Sequence, residues 1–381
     1  MSDNEVGCRG LRKFAQCLLF STAASLAVST PVSAQSITVF DAPGAGTSAK
    51  QGTVAYAIND AAEITGVVID SASVGHGFER DSKGKISTFD APGGGTGFHQ
   101  GTAGKAINTS GAIAGYVIGP TSVSHGFVRD STKKATITVF DVPGAGTAAG
   151  QGTTSSSIND TGDIAGTFSD SGTVNHGFVR AAGKGKVTTF DIKGAGTGFK
   201  QGTIAADINA SGMIVGQILD AGSVSHAFVR NNDKKGTATV FDVKGAGTAN
   251  GQGTLANSIN TNGDVVGQYI DANGTHHAFL RDTTGTITKF DAPHAGNGSG
   301  QGTVAYGIDD AGVACGAFFD SATVGHGFVR AVDGTITVFD APGAGSGFGQ
   351  GTDAFSINTG GAIAGYLNDS GSVLHGYIRT P

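Results

Sequence analysis

Short apolar segments alternate with turns rich in Gly, Asn and Asp along most of the chain. In one stretch these segments span residues 53–58, 64–69, 75–80 and 86–89. Short apolar runs bounded by turn residues are typical of β-strands, so the pattern predicts four strands in this stretch. Apolar and polar positions alternate only weakly within them, which indicates sheets that are covered on both faces.

The same four-strand pattern occurs seven times. A Phe-Asp pair recurs at steps of 49 to 51 residues, and each pair is followed by Gln-Gly-Thr, by an Ile-Asn or Ile-Asp turn, and by His-Gly/Ala-Phe/Tyr. A period near 50 residues with four strands is typical of the blades of a β-propeller. Residues 35–381 are therefore predicted to form one all-β domain, a seven-bladed β-propeller with four-stranded blades of about 50 residues.

The two ends of the repeated region lie at different points of the pattern. It starts with a strand of the fourth type, at residues 37–40, and ends after a strand of the third type, at residues 376–379. We expect the N-terminal strand to complete the last blade, because an unpaired sheet edge is a liability that ring closure removes.

The first 34 residues have the features of a signal peptide. Arg9, Arg12 and Lys13 precede an apolar stretch at residues 14–28, and Val32-Ser33-Ala34 puts small residues where a signal peptidase cleaves. The apolar stretch is short and is interrupted by polar residues, which argues against a membrane anchor. We predict a signal peptide at residues 1–34 and a mature protein that is extracellular or periplasmic.

Composition excludes several classes of protein. Hydrophobic residues make up 38% of the 381-residue chain and charged residues 14%, which provides material for a core and argues against disorder. The net charge of −6 disfavours nucleic acid as a partner. Beyond the N-terminal segment, no apolar run is long enough to span a bilayer. We expect a monomer with no membrane span.

The repeated motifs resemble those of a known family. Phe-Asp-Ala-Pro-Gly-Ala-Gly, Ile-Asn-x-x-Gly-x-Ile-x-Gly and His-Ala-Phe-Val-Arg are similar to the bacterial extracellular repeats named for their His-Ala-Phe (HAF) tripeptide, which is present at residues 226–228 and 277–279. The resemblance covers residues 35–381. It implies a secreted, bacterial, β-propeller-like protein and no particular catalytic residue.

Residues that occur in every repeat are expected to build the scaffold. Phe78 and Phe89 should contribute to the core between neighbouring repeats. We predict that each repeated His forms an internal hydrogen bond with a nearby Asp. The second repeat has Gly119 in place of the Asp of the second turn but keeps His125, so the aspartate of the Phe-Asp pair is the better partner.

Binding residues are expected where the repeats differ. Two positions vary: the loop before each Gln-Gly-Thr, and the middle of the innermost strand. The loop candidates for ligand binding are Phe98, His99, Phe199, Lys200 and Phe348. The strand candidates are Tyr56, Lys105, Asn257, Tyr306 and Phe355, with Asp353 nearby. Aromatic side chains beside polar groups suit sugar stacking or protein contact, although the same variation could simply tune packing.

The sequence contains few catalytic signals. After residue 34, Glu occurs only at Glu63 and Glu79, so a pair of catalytic glutamates is improbable, whereas a pair of aspartates remains possible. We expect no cofactor and no metal site, because histidines on separate blades should lie too far apart to share an ion.

The preferred function is non-catalytic binding of an extracellular glycan or protein surface through the loop-bearing face. One alternative is a secreted polysaccharide hydrolase or lyase that acts at the central channel through Asp207, Asp353, Lys105 and Tyr306. The other alternative is a structural protein of the cell surface or matrix.

Overall fold

The computed structural model describes residues 35–183, 185–233 and 235–381, and the predicted signal peptide lies outside the described residues. The described residues form 28 β-strands. Each of the seven repeats has an inner, a second, a third and an outer strand, which pair in this order as antiparallel neighbours.

The inner strands are β2 (Gly52–Ile58), β6 (Gly101–Ile107), β10 (Gly152–Ile158), β14 (Gly202–Ile208), β18 (Gly253–Ile259), β22 (Gly302–Ile308) and β26 (Gly351–Ile357). The second strands are β3 (Ile64–Ile69), β7 (Ile113–Ile118), β11 (Ile164–Ser169), β15 (Ile214–Leu219), β19 (Val265–Ile270), β23 (Ala314–Phe319) and β27 (Ile363–Asn368). The third strands are β4 (Gly75–Arg80), β8 (Ser124–Arg129), β12 (Asn175–Arg180), β16 (Ser225–Arg230), β20 (His276–Arg281), β24 (Gly325–Arg330) and β28 (Leu374–Thr380). The outer strands are β1 (Ser36–Phe40), β5 (Ile86–Phe89), β9 (Ile137–Phe140), β13 (Val187–Phe190), β17 (Ala238–Phe241), β21 (Ile287–Phe290) and β25 (Ile336–Phe339). Repeats are numbered below by their inner strands.

Turn residues set the limits of these strands. In the first repeat the Asn59 carboxamide oxygen accepts the backbone N–H of Glu63 at 2.9 Å, and an Asp70 carboxylate oxygen accepts that of Val74 at 2.8 Å. Side chains that bond their own backbone in this way specify tight turns. The predicted limits of β3, β4 and β5 are confirmed, and β2 begins one residue earlier than predicted, at Gly52.

The predicted seven-bladed β-propeller is wrong, because the repeats are not separate four-stranded sheets. The first residue of each third strand pairs in parallel with the glycine that begins the next inner strand, as Gly75 does with Gly101. Six further junctions repeat this pairing, and the last, between Leu374 and Gly52, closes the circuit. The result is one closed mixed sheet of 21 strands, from inner, second and third strands, with seven outer strands along its edge.

The backbone can make these junctions because each inner strand begins with glycine. Gly101 has a φ of 101°, in the region that favours glycine, and a Cβ there would overlap the carbonyl group of Gly75. Hydrogen bonds from Gly75 N to the Gln100 carbonyl (2.8 Å) and from His99 N to the Ser73 carbonyl (2.9 Å) hold the same junction. Neighbouring repeats are therefore joined by backbone as well as by side chains.

Aromatic side chains fill the space between repeats, as predicted. Phe78 is fully buried, and Phe89 packs edge-on against Phe127 of the next repeat with ring centroids 6.0 Å apart. The guanidinium of Arg129 lies over the Phe89 ring, 5.0 Å from its centroid. Seven such Phe–Phe/Tyr–Arg contacts surround the ring, and burial of each aromatic ring contributes roughly 1.5–3 kcal/mol.

The first and last strands of the described chain are neighbours. β1 pairs with β28 over five residue pairs, from Ser36 opposite Thr380 to Phe40 opposite Gly376. The seventh repeat therefore receives its outer strand from the beginning of the described chain.

The turns between inner and second strands form a ring of hydrogen bonds. The Asn59 amide donates to the backbone carbonyl of Asn108 at 3.0 Å, and six of seven repeats contribute such a bond to the next repeat. In the sixth repeat Asp309 replaces Asn, so no side-chain amide is present there to donate to the carbonyl of Asn358. Burial raises the pKa of Asp309, although hydrogen bonds from backbone N–H groups, including that of Val313, counteract it.

Asp309→Asn is expected to stabilise the fold by about 1 kcal/mol at pH 7, because the new amide can donate the seventh hydrogen bond. The raised pKa of Asp309 means that the wild type loses stability as pH rises above the carboxyl's ordinary value. The gain should therefore be larger at pH 7 than at pH 4 in urea unfolding. Asn159→Asp is the matched control and should destabilise; equal stability of Asp309→Asn and wild type at pH 7 would contradict the prediction.

Candidate functional site

The polar residues present in every repeat are occupied in holding the scaffold. All seven repeats have a hydrogen bond between His Nδ1 and the aspartate of the Phe-Asp pair, at 2.8 or 2.9 Å. The second-turn aspartate lies 3.5 to 3.8 Å from Nε2 in six repeats, and His125 of the second repeat keeps only Asp141. The predicted His–Asp pairing is confirmed, together with its preferred partner.

The Gln-Gly-Thr motif has a structural role too. In the first repeat, Gln51 accepts the backbone N–H of Ser48 and donates to the carbonyl of Ser71, and the Thr53 hydroxyl accepts the N–H of Ala42 at 2.9 Å. The threonine bond occurs in all seven repeats. Because these side chains are occupied by scaffold contacts, a ligand site is to be sought among residues that differ between repeats.

The three loop phenylalanines lie on the surface. Phe98, Phe199 and Phe348 are 70%, 71% and 84% exposed, which sets them apart from nearly all large apolar side chains of the described residues. Each precedes a residue whose backbone N–H donates to a second-to-third-strand turn of the preceding repeat, as His99 does to Ser73. All three therefore lie on one face of the ring, called the loop-bearing face below, in the second, fourth and seventh repeats.

Two of the three phenylalanines have a polar partner in an unfavourable backbone conformation. His99 stacks on Phe98 at a centroid distance of 3.8 Å, and Lys200 Nζ lies 5.3 Å from the Phe199 ring centroid. His99 and Lys200 have φ values of 60° and 58° at a position where four other repeats have glycine. The first repeat has Lys50 at this position, with a φ of 65° and no neighbouring phenylalanine, so the conformation belongs to the loop itself.

The strand candidates meet in a central cavity of about 270 Å³. Its lining includes Tyr56, Lys105, Asn257, Tyr306 and Phe355, with Ser156, Ser157 and Ser258 among the polar residues. On one side the ring centroid of Phe355 lies 5.0 Å from that of Tyr306 and 5.8 Å from that of Tyr56. The cavity thus combines an aromatic wall with hydroxyl and amide groups, the combination found in small-molecule sites.

Lys105 is the cation of this cavity. Its Nζ lies over the face of Tyr56, 3.6 Å from the ring centroid, and burial lowers its pKa to about 8. Burial raises the pKa of Tyr56 and of Tyr306 above the ordinary tyrosine value, so both remain neutral near pH 7.

The two aspartates considered for catalysis differ in their surroundings. Asp207 lines the central cavity, and its carboxylate accepts four hydrogen bonds, from Ser157 Oγ, Ser258 Oγ, Ile208 N and Ile259 N. Burial raises the pKa of Asp207, and these bonds counteract it. Because its oxygens are engaged by three different repeats, this carboxylate has a structural role.

Asp353 is not among the residues that line the central cavity. Its Oδ1 is buried and has no hydrogen-bond partner among the described residues. Burial raises the pKa of Asp353 to about 6, although a hydrogen bond with Tyr366 lowers it. The structure therefore does not bring Asp353 together with Asp207 as a pair of cavity carboxylates.

A second, smaller cavity of about 150 Å³ lies between the first and second repeats. It is lined by Val67, Ile69, Tyr116 and Ile118, and it reaches from His99 to Tyr56. The small residues Gly75 and Ala103 leave this space open. A loop candidate and a strand candidate thus meet here, which the sequence did not indicate.

Tyr116 and Tyr366 were missed as site residues. Both occupy the fourth position of a second strand, and Tyr366 packs against Phe355 at a centroid distance of 5.4 Å. That position varies from Val to Tyr, Thr, Gln and Ala among the repeats, so the variability that identified the inner-strand candidates was available there as well.

Metal-ligand clusters, reactive cysteines and membrane-spanning helices are further features that bear on function. No group of three or more His, Cys, Asp and Glu side chains is placed to hold a metal ion in residues 35–183, 185–233 and 235–381. Burial raises the pKa of the fully buried Cys315 thiol to about 12, as expected for a structural cysteine. Within the same ranges, no helix has the length and apolar character to cross a membrane.

Comparisons with known proteins define the fold alone. No family model and no curated protein matches the chain. A lectin from Burkholderia pseudomallei has a similar structure, with a TM-score of 0.53 and 8% sequence identity over 84% of this chain and 94% of the lectin. A neuraminidase-like protein of A/flat-faced bat/Peru aligns with a TM-score of 0.32 and 10% identity over 72% of this chain and 86% of that protein. The lectin comparison therefore supports an all-β fold that is similar to the fold of that protein.

Proposed function

We propose that this is a secreted bacterial protein of the HAF-repeat type that binds an extracellular glycan through its loop-bearing face. The observation that carries the proposal is the set of three exposed phenylalanines, Phe98, Phe199 and Phe348, at one position of three repeats. Exposed aromatic rings are unfavourable in water, and they offer flat apolar surfaces on which a sugar ring can stack.

The arrangement of the three rings favours a polymer as ligand. They belong to the second, fourth and seventh repeats, so they are separated by two, three and two repeats around a ring of seven. Spaced contacts of this kind let one chain bind several weak sites, which raises the overall affinity through effective concentration. The similarity to a lectin makes glycans the first class of ligand to test.

Replacement of Phe98, Phe199 and Phe348 by Ala in one variant is expected to lower glycan affinity at least tenfold, or about 1.4 kcal/mol. The measurement is titration calorimetry with the polysaccharide that binds best in an array screen. Because all three side chains are exposed, the variant should keep the midpoint of thermal unfolding of the wild type.

Val332→Ala provides the matched control, because Val332 is 65% exposed and lies in a turn between third and outer strands, on the opposite face. It should bind as the wild type does. Unchanged affinity in the triple variant, or no binding to any glycan on the array, would contradict the proposal. In the second case the phenylalanines would be tested for contact with a protein surface.

A further inference from the structure

Lys105 is a largely buried amine without an anionic partner. The described residues provide it with no ion pair, and desolvation accounts for the lowering of its pKa. Its ammonium group lies over the face of Tyr56. A buried charge of this kind is destabilising unless it is paired, so its amine remains available to an anion that enters the cavity.

The surrounding walls restrict what that anion can be. The rings of Tyr56, Tyr306 and Phe355 form one side of the cavity, and serine hydroxyls and the Asn257 side chain contribute polar groups. A volume of about 270 Å³ is small for a ligand cavity, so the occupant is of single-residue size. A ring that carries both hydroxyl groups and a carboxylate can stack on the aromatic wall, form hydrogen bonds with the polar groups and pair with Lys105.

The same residues disfavour a positively charged ligand. A cation would be repelled by Lys105, and the Asp207 carboxylate already accepts four hydrogen bonds from the protein. The unpartnered oxygen that could attract a cation belongs to Asp353, which does not line this cavity. Among the described residues that line this cavity, Lys105 is therefore the charged side chain that has neither a hydrogen-bond partner nor a partner of opposite charge.

We propose that the central cavity binds one acidic sugar residue, a uronic acid, with its carboxylate on Lys105 and its ring against Tyr306 and Phe355. This inference rests on the proposed glycan-binding function and adds a second site to it. The loop-bearing face would hold the polymer, and the cavity would select for the acidic residue.

The test compares galacturonic acid with galactose by calorimetry, using the wild type and Lys105→Met. The wild type should bind the acid at least tenfold more tightly than the neutral sugar, and Lys105→Met should lose this preference. Lys289→Met is the matched control, because Lys289 Nζ also lies near an aromatic ring, 5.6 Å from the centroid of Tyr269, but it is exposed on the outer strand β21. It should keep the preference.

A pH series provides a readout that loss of folding would not produce. The lowered pKa of Lys105 predicts weaker binding of the acid at pH 9.5 than at pH 6.5, whereas Lys105→Arg should bind it at both values. Among the other titratable groups nearby, burial raises the pKa of Tyr56, Tyr116, Tyr306 and Tyr366, and it raises that of Asp353 to about 6. Burial also raises the pKa of Asp207, whose carboxylate accepts four hydrogen bonds from the protein.

Equal affinity of the wild type for galacturonic acid and galactose would overturn the inference, and so would an unchanged preference in Lys105→Met. Loss of polysaccharide binding in the triple phenylalanine variant, seen together with either result, would leave the proposed function intact. The opposite result is galacturonic acid binding that depends on Lys105 while the triple phenylalanine variant binds the polysaccharide as the wild type does. That result would contradict the proposed role of the loop-bearing face and support the proposed role of the cavity.

Discussion

Deletion of Ser36–Phe40 is expected to lower the free energy of unfolding on the order of 5 kcal/mol, which approaches the total stability of many domains. The deletion removes the partner of β28 and the half-buried Phe40 ring, which packs edge-on against Phe78 at 6.1 Å. It also leaves Arg80 without the ring that its guanidinium covers at 5.2 Å. The measurement is urea unfolding followed by circular dichroism, in which the variant should have a lower midpoint and a broader transition.

Point variants separate loss of the pairing between β1 and β28 from loss of one aromatic side chain. Phe40→Ala and Phe140→Ala remove the same side chain from equivalent outer strands, and each should cost roughly 2 kcal/mol. Equal costs would show that the strand contributed by the beginning of the chain packs as well as one inside it. An unfolding midpoint of the deletion variant that equals that of the wild type would contradict a stabilising role of β1.

Gly253→Ala should destabilise the protein by about 4 kcal/mol, although it adds only one methyl group. Gly253 begins β18, pairs with Ser225 of the preceding repeat and has a φ of 114°. A Cβ at this position would overlap the backbone of Ser225, so the junction between the fourth and fifth repeats would have to open. Thermal and urea unfolding of the variant measure the loss.

Gly251→Ala is the control for backbone strain alone. Gly251 has a φ of 79°, and no atom lies within 4 Å of a Cβ built there. Its replacement should cost roughly 1 to 2 kcal/mol, which is the penalty of a left-handed conformation without a clash. Similar losses in the two variants would mean that the parallel junction contributes little to stability.

Strand positions within a repeat could be predicted because the information is local. Apolar runs and the Asn and Asp turns delimit β3, β4 and β5 at the residues observed. The joining of repeats into one closed sheet could not be predicted in this way, because it depends on a single residue pair at each junction. At the junction of the seventh and first repeats the pair includes Gly52, the residue omitted from the predicted inner strand.

The candidate site could be predicted in part. The middle of each inner strand varies among the repeats, and the five residues chosen there all line the central cavity. The hydrogen-bond partners and the open spaces around these residues depend on packing between repeats, and the spacing of residues in the sequence does not predict that packing. Thus the carboxylate of Asp207 is engaged by neighbours about 50 residues away on either side, and the cavity at His99 depends on small residues of two repeats.

All seven inner strands end in isoleucine, and these side chains surround the axis of the ring. They lie between the central cavity and another cavity on the same axis, which is lined by the turns between inner and second strands. The seven are Ile58, Ile107, Ile158, Ile208, Ile259, Ile308 and Ile357. An apolar collar gives a hydrated solute nothing to replace its lost water, so passage along the axis is disfavoured. The collar therefore disfavours exchange of hydrated solutes between the two cavities that it separates.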